Sequence, residues 1–166
     1  VRVVYERVAR DPASGFHFHT GAAYAAHRLG YDAAALATLP AICTERFSGV
    51  GNPLRIGTIP AGGVVLDHAC GSGMDLLLAA RAVGPNGRVI GVDLPAAMRA
   101  CAMAAAAQAR LLDRLGVHEA TFEDLPVADA SVDILISNGV INLAPDKPRL
   151  MSEVVRVLRP GGALYL

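Results

Sequence analysis

One stretch constrains the fold of this chain more than any other, residues 64–75, which read VVLDHACGSGMD. Three apolar residues lead to Asp67, as in a strand that is buried on both faces of a parallel sheet. A loop with Gly71 and Gly73 follows, and residues 74–83 are rich enough in Leu and Ala to predict a helix. Strand, glycine loop and helix in this order are typical of the ligand-binding edge of α/β folds. The stretch therefore predicts an open parallel sheet with a nucleotide-like ligand above the loop.

The residues after the loop indicate which ligand. Folds that bind dinucleotides generally have a third glycine, and this chain has Leu76 at that position. Asp75 falls in the first turn of the predicted helix, where its carboxylate would oppose a phosphate. S-adenosylmethionine has no phosphate, and its sulfonium and ammonium groups are attracted by acids. We therefore predict S-adenosylmethionine as the cofactor, and a nicotinamide dehydrogenase is the less favoured alternative.

Composition excludes several classes of partner. The chain has 166 residues, 53% of them hydrophobic, and a formal net charge of zero. It can bury a core, but it has no charge excess for nucleic acid or an anionic membrane. It also lacks the roughly 18 consecutive apolar residues of a membrane-spanning helix. Three cysteines without C-x-x-C spacing predict reduced thiols, a cytoplasmic protein and no metal centre. We expect a small-molecule acceptor and no nucleic-acid or membrane partner.

The chain divides into two parts that differ in their predicted secondary structure. Residues 1–60 are predicted to form a helical lid, with helices at 1–9, 22–29, 33–39 and 41–47 and with Thr20 and Asp32 as caps. Residues 61–166 are predicted to form the core, because strands and helices alternate there as in a parallel sheet with right-handed crossovers. The predicted strands are 64–67, 88–93, 119–122, 132–137 and 163–166, and the helices between them are 74–83, 95–115 and 147–158. We expect this core to continue past Leu166.

Asp93 is the clearest candidate ligand-binding residue. It follows the second predicted strand, about 20 positions after Gly73, which is the spacing at which an acid reaches a ribose diol. Its two oxygens can accept both hydroxyls, and each such charge-assisted hydrogen bond contributes roughly 1.5–3 kcal/mol. The structural alternative is an acid that only caps the next helix.

Six motifs together make the chain resemble class I S-adenosylmethionine-dependent methyltransferases, and among them the arsenite-methyltransferase-like branch. The resemblance covers residues 46–166 and implies a Rossmann-like, doubly wound α/β sheet in the order 3-2-1-4-5. The motifs are FSGVGNP at 47–53, VVLD with CGSG at 64–73, VIGVD at 89–93, LPVAD at 125–129, SNGVINL at 137–143 and VLRPGG at 157–162.

The resemblance also implies a role for particular residues. Asp67 would orient the methionine ammonium, the loop 69–73 would lie under the methionine, and Asp93 would hold the ribose. Leu94 and Met98 would flank the adenine, and residues 121–123 would meet its edge. Ser137 would offer its carbonyl to the ammonium, with Asn138 beside it facing the substrate. The predicted cofactor-binding residues are Asp67, Ala69, Cys70, Gly71, Gly73, Asp93, Leu94, Met98, Thr121, Phe122, Glu123, Ser137 and Asn138.

The chain departs from the family pattern at the cofactor site. Ala69 replaces the first loop glycine, and a positive φ there would cost about 1 kcal/mol. Thr121 stands where the family has an acid, with Glu123 or Asp124 as possible substitutes. The stretch between residues 116 and 125 is also short. These departures motivate an alternative function, a non-catalytic module that binds S-adenosylmethionine.

A second departure concerns the acceptor. Trivalent arsenic needs thiolates, and the cysteines of the arsenite branch correspond to Val50 and Gly139 here. We therefore predict that arsenite is not the acceptor. Cys43 near Cys70 is the remaining way to build a non-standard thiol site.

The predicted substrate residues are His17, His19, Gly139 and Asn142. In an extended segment the two histidines share one face and the neighbouring phenylalanines share the other. The histidines could line the substrate pocket, act as a general base or bind a metal, and we favour the pocket. Methyl transfer needs mainly orientation of the acceptor in a dry site, so no single catalytic residue is assigned.

Overall fold

A computed structural model of the chain describes residues 2–166. The strands are β1 (Val64–His68), β2 (Arg88–Val92), β3 (Leu115–His118), β4 (Val132–Ser137) and β5 (Leu158–Tyr165). They form one parallel sheet in the order β3-β2-β1-β4-β5. The predicted Rossmann-like α/β fold and its strand order are confirmed.

Seven α-helices surround or precede the sheet in the described part of the chain. They are α1 (Arg2–Arg10), α2 (Ala22–Leu29), α3 (Ala33–Ala37), α4 (Ala41–Thr44), α5 (Met74–Val83), α6 (Ala96–Gln108) and α7 (Lys147–Val157). Leu36, Cys43 and Phe47 share an apolar cluster with Leu76 and Leu77 of α5. The N-terminal helices are therefore packed on the core. None of the described helices is long and apolar enough to span a membrane.

The central strands form because most of their residues are apolar and can be buried on both faces. β4 is buried along its whole length, and in β1 only Val64 is partly exposed. The register pairs His68 with both Val92 and Ser137, so β1, β2 and β4 end side by side. The loops that follow these strands consequently meet at one edge of the sheet, which is where ligands bind in open α/β folds.

The prediction for the third strand was wrong. The sequence interpretation ran the Ala-rich helix to Leu115 and placed the strand at 119–122, whereas α6 ends at Gln108 and β3 is Leu115–His118. Arg110 has a φ of 57°, which ends the helical conformation. Gly116 lies inside β3 opposite Ile90 and not at the end of a helix.

The structure also corrects several predicted boundaries of helices and strands. Gly21, and not Thr20, occupies the N-cap of α2, and it caps without a side-chain hydrogen bond. Asp32 does cap α3, accepting from the Ala34 N–H at 2.9 Å. Helices α3 and α4 end earlier than predicted, and β5 begins at Leu158 rather than at residue 163.

Candidate active site

A cavity of about 430 Å³ opens at the carboxyl edge of the sheet, within the size range of small-molecule sites. The loops after β1, β2, β3 and β4 form its floor, and the N-terminal segment covers it. Its lining comprises Tyr5, Arg46, Phe47, Ser48, Gly49, Asp67, Ala69, Cys70, Gly71, Ser72, Met74, Asp75, Asp93, Leu94, Pro95, Thr121, Phe122, Glu123, Asn138, Val140, Leu143 and Pro145.

The glycine loop has the predicted backbone, and three of its amides donate hydrogen bonds within the protein. Ala69 has a φ of 62°, so the left-handed strain anticipated there is present. The Cys70 N–H donates to Val92, the Gly73 N–H to Cys70 and the Gly71 N–H to the Asp93 carboxylate. A phosphate would need such amides free. These three amides are therefore not available to a phosphate.

Asp67 lies at the end of β1 with an unsatisfied carboxylate. The residue is 2% exposed, lines the cavity, and its Oδ2 has no hydrogen-bond partner among the described residues. Burial, and then the negative charges of Asp75 and Asp93, raise the pKa of Asp67 well above its ordinary value. A cation in the cavity would favour the ionised carboxylate and supply the missing partner.

Asp93 follows β2 and is tied to the glycine loop. Its Oδ2 accepts from the Gly71 N–H at 2.6 Å. Burial raises the pKa of Asp93 to about 6, against the opposing effects of the Gly71 and Leu94 amides and the Arg99 guanidinium. Arg99 also donates to the carbonyls of Asp93 and Leu94, at 3.1 and 2.6 Å. These contacts fix the position of Asp93 at the cavity edge, and its carboxylate can still accept further hydrogen bonds from a ligand.

Asn138 joins the N-terminal segment to the start of α5. Its Oδ1 accepts from the amides of Val50 and Gly51 at 2.9 and 3.0 Å. Its Nδ2 lies 3.0 Å from Asp75 Oδ2 and 2.9 Å from the Gly51 carbonyl, and Tyr31 donates to Asp75 Oδ1 at 2.6 Å. Burial raises the pKa of Asp75. These contacts fix the loop 49–51 as one wall of the cavity.

The N-terminal segment contributes lining residues that the sequence interpretation missed. Tyr5 of α1 reaches the cavity, and burial, together with the charge of Asp93, raises its pKa. Arg46 and Phe47 line the cavity from the segment after α4. The amphipathic pattern of α1 marks Tyr5 only as a packing residue. No local signal distinguishes it from a core aromatic.

Most of the predicted cofactor residues come together at this cavity. Those that line it are Asp67, Ala69, Cys70, Gly71, Asp93, Leu94, Thr121, Phe122, Glu123 and Asn138. Gly73 is not among the lining residues. It packs against α6, where an added Cβ would lie 3.0 Å from the Ala102 Cβ. Met98 is 1% exposed and packs in a small cluster with Val8 and Ala9. Ser137 is buried, with its hydroxyl 3.4 Å from His68 Nδ1.

The predicted substrate residues do not line the cavity in this structure. His17 and His19 are exposed, the first edge-on against Phe18 and the second stacked on Tyr24, both at 5.0 Å between ring centroids. Asn142 is exposed as well. Gly139 has a φ of 78° and faces Val50, whose Cγ2 would lie 3.0 Å from an added Cβ.

The three thiols are poor candidates for metal or arsenic binding. Cys43 and Cys70 are buried, and Cys101 is half-buried and outside the cavity lining. Burial raises the pKa of all three thiols, that of Cys43 to about 12. Among the described residues no group of three His, Cys, Asp or Glu side chains is placed to hold a metal ion.

The side chains fit S-adenosylmethionine. The orphaned Asp67 oxygen suits an ammonium group, and Asp93 suits a ribose diol. The engaged loop amides suit a ligand without phosphate. Leu94 and Phe122 supply apolar surface for a base.

Known proteins give the same assignment. Residues 59–166 match the family model described as a methyltransferase domain. The chain is 44% identical over 142 residues to an arsenite methyltransferase of Halobacterium salinarum, covering 84% of this chain and 35% of that protein. It is 36% identical to a demethylmenaquinone methyltransferase of Symbiobacterium thermophilum, covering 59% of this chain and 39% of that one.

A solved structure is also similar. It is that of an arsenic(III) S-adenosylmethionine methyltransferase from Chlamydomonas reinhardtii, with a TM-score of 0.72 and 41% identity over 79% of this chain and 46% of that chain. This chain thus spans less than half the length of each of these relatives. Fold, cavity and relatives agree that the chain belongs to the class I S-adenosylmethionine-dependent methyltransferases.

Proposed function

We propose that this chain is the cofactor-binding part of an enzyme that transfers the methyl group of S-adenosylmethionine to a small-molecule acceptor. One observation carries the proposal. Asp67 is a buried carboxylate with an unpartnered oxygen, and it lines a cavity that Asp93 also borders. This arrangement is costly in an empty protein and favourable around a cationic nucleoside.

The residues of the chain bind and orient. When bound, S-adenosylmethionine supplies an electrophilic methyl group on a sulfonium for in-line displacement. Asp93 accepts from the ribose hydroxyls, and Asp67 holds the ammonium group. Phe47, Val140 and Leu143 line the cavity with apolar surface that excludes water. Residues 1–60 act as the lid that closes this site.

The acceptor is a small organic molecule and not arsenite. Val50 and Gly139 stand where the arsenite branch has cysteines, and neither side chain can bind arsenic. The buried thiols of Cys43 and Cys70 are held protonated by their raised pKa values. An arsenite methyltransferase with non-standard thiols is therefore the weaker alternative.

A non-catalytic module is the second candidate. It is supported by the departures from the family pattern at the cofactor site, which include the strained φ of 62° at Ala69 and Thr121 in place of an acid. Both candidates bind S-adenosylmethionine, and only the enzyme converts it to S-adenosylhomocysteine in the presence of an acceptor.

The test is acceptor-dependent formation of S-adenosylhomocysteine, measured by mass spectrometry. The protein is incubated with S-adenosylmethionine and, separately, with phenols, quinols, small amines, thiols or arsenite. We expect product with an organic acceptor, none with arsenite, and loss of product in D93A. Turnover of arsenite would contradict the acceptor assignment. Cofactor binding without turnover of any acceptor would favour the module.

A further inference from the structure

The charges around the cavity are unbalanced. Its lining includes the acids Asp67, Asp75, Asp93 and Glu123 and, among the described residues, a single cationic side chain, that of Arg46. The proposed cofactor carries a carboxylate on its amino-acid end as well as two cationic groups. A carboxylate placed among these acids is repelled unless a cation receives it.

Several donors of the glycine loop are already engaged and cannot receive this carboxylate. The amides of Cys70, Gly71 and Gly73 already donate to Val92, Asp93 and Cys70. The Ser72 hydroxyl is also engaged, donating to the Cys43 carbonyl at 2.8 Å. The loop that lies under the methionine can therefore offer few of its own donors to an anion.

Arg46 is positioned to supply the missing donors. Its Nε donates to the Ala9 carbonyl at 2.7 Å and its Nη1 to the Ile42 carbonyl at 3.3 Å. Its Nη2 has no hydrogen-bond partner among the described residues. Glu45 lies 3.6 Å from Nη1 but is 61% exposed, so this ion pair is weak. A guanidinium carries five N–H donors; in Arg46, Nε and Nη1 each donate to a backbone carbonyl, and both N–H groups of Nη2 remain for a ligand.

Resting on the proposed function, we infer that Arg46 binds the carboxylate of the amino-acid end of the cofactor. The Nη2 group can give a charge-assisted hydrogen bond to this carboxylate. Because the same guanidinium donates to the Ala9 carbonyl near the end of α1, cofactor binding also stabilises the packed position of that helix. Arg46 thereby makes the lid selective for the complete cofactor over its nucleoside part.

The test compares ligands with and without the carboxylate by calorimetry. S-adenosylhomocysteine, its carboxyl methyl ester and 5′-methylthioadenosine are titrated into the wild type and into R46M. The wild type is expected to bind the acid about ten-fold or more tightly than the ester. R46M is expected to bind acid and ester alike, and to bind 5′-methylthioadenosine within about two-fold of the wild type.

The matched control is R55M, which removes an exposed cation outside the cavity lining and is expected to change none of these affinities. Equal loss of acid and methylthioadenosine affinity in R46M would overturn the inference, because Arg46 would then act only by docking the lid. The inference would also be overturned if the wild type bound S-adenosylhomocysteine and its carboxyl methyl ester with equal affinity. If the wild type binds none of the three ligands, the proposed function itself fails.

Discussion

The Asp93 carboxylate accepts a hydrogen bond from the Gly71 N–H, with 2.6 Å between the nitrogen and Oδ2. This bond joins the loop after β1 to the end of β2. Asp93 thus holds the loop after β1 in place. Its remaining lone pairs are available to a ligand in the cavity that it lines. The proposed ribose contact and the loop geometry depend on the same side chain.

Substitution of Asp93 should weaken cofactor binding sharply. D93A removes the proposed ribose acceptor and the loop contact, and we expect S-adenosylmethionine affinity to fall ten-fold or more. The measurement is calorimetric titration. D113A is the control, because Asp113 is an exposed acid at the opposite end of the sheet. An unchanged dissociation constant in D93A would disprove the ribose assignment.

Cofactor affinity should rise with pH. The pKa of Asp93 is raised from 3.8 to about 6 in the folded protein, and that of Asp67 is raised as well. Because the ligand favours ionised carboxylates, its binding releases protons, and affinity increases as pH rises through about 6. Titrations between pH 5 and 8 in buffers of different ionisation enthalpy measure this release. D93N should flatten the step near pH 6, and a flat profile in the wild type would refute the account.

Replacing Ala69 by glycine should stabilise the protein. Relief of the left-handed strain at φ 62° is worth roughly 1–2 kcal/mol, and the greater unfolded-state entropy of glycine offsets roughly 0.4–1 kcal/mol. We expect a net gain of about 0.5–1 kcal/mol in urea unfolding. A100G, on the exposed face of α6, should instead lose about 0.5–1 kcal/mol. A destabilised A69G would show that the methyl group makes a contact worth more than the strain.

Removing the Asn138 side chain should loosen the cavity wall. N138A leaves the Val50 and Gly51 amides and one Asp75 oxygen without their partner, and we expect a loss of about 2–3 kcal/mol in unfolding free energy. N142A, on an exposed residue outside the cavity, should stay within about 0.5 kcal/mol. Equal stabilities of the two variants would mean that Asn138 does not hold the loop.

Local patterns predicted the parts of this molecule that depend on local chemistry. The sequence predicted β1 and β4 from their apolar residues, 64–66 and 134–136, and it predicted the loop from its glycines. These features depend on residues that are close together in the chain. The third strand was not, because Leu115–His118 has only four residues with a glycine among them, and its strand conformation depends on pairing with β2 and on the burial of Leu115 in the core.

The cavity wall escaped prediction for a related reason. The bonds among Tyr31, Asp75 and Asn138 join segments far apart in the chain, and no sequence spacing encodes them. For His17 and His19 the pattern predicted the packing and left the role in the substrate site a prediction. Their alternation with Phe16 and Phe18 was predicted, and the phenylalanine rings do stack at 5.3 Å. The histidines on the other face are exposed to solvent.

A crystal structure of the protein with S-adenosylhomocysteine tests the central claim most directly. We expect density for the ligand in the cavity above Gly71, with the ribose hydroxyls at Asp93 and the ammonium group at Asp67. A cavity filled by the protein's own side chains, or a ligand whose ribose lies away from Asp93, would contradict the account.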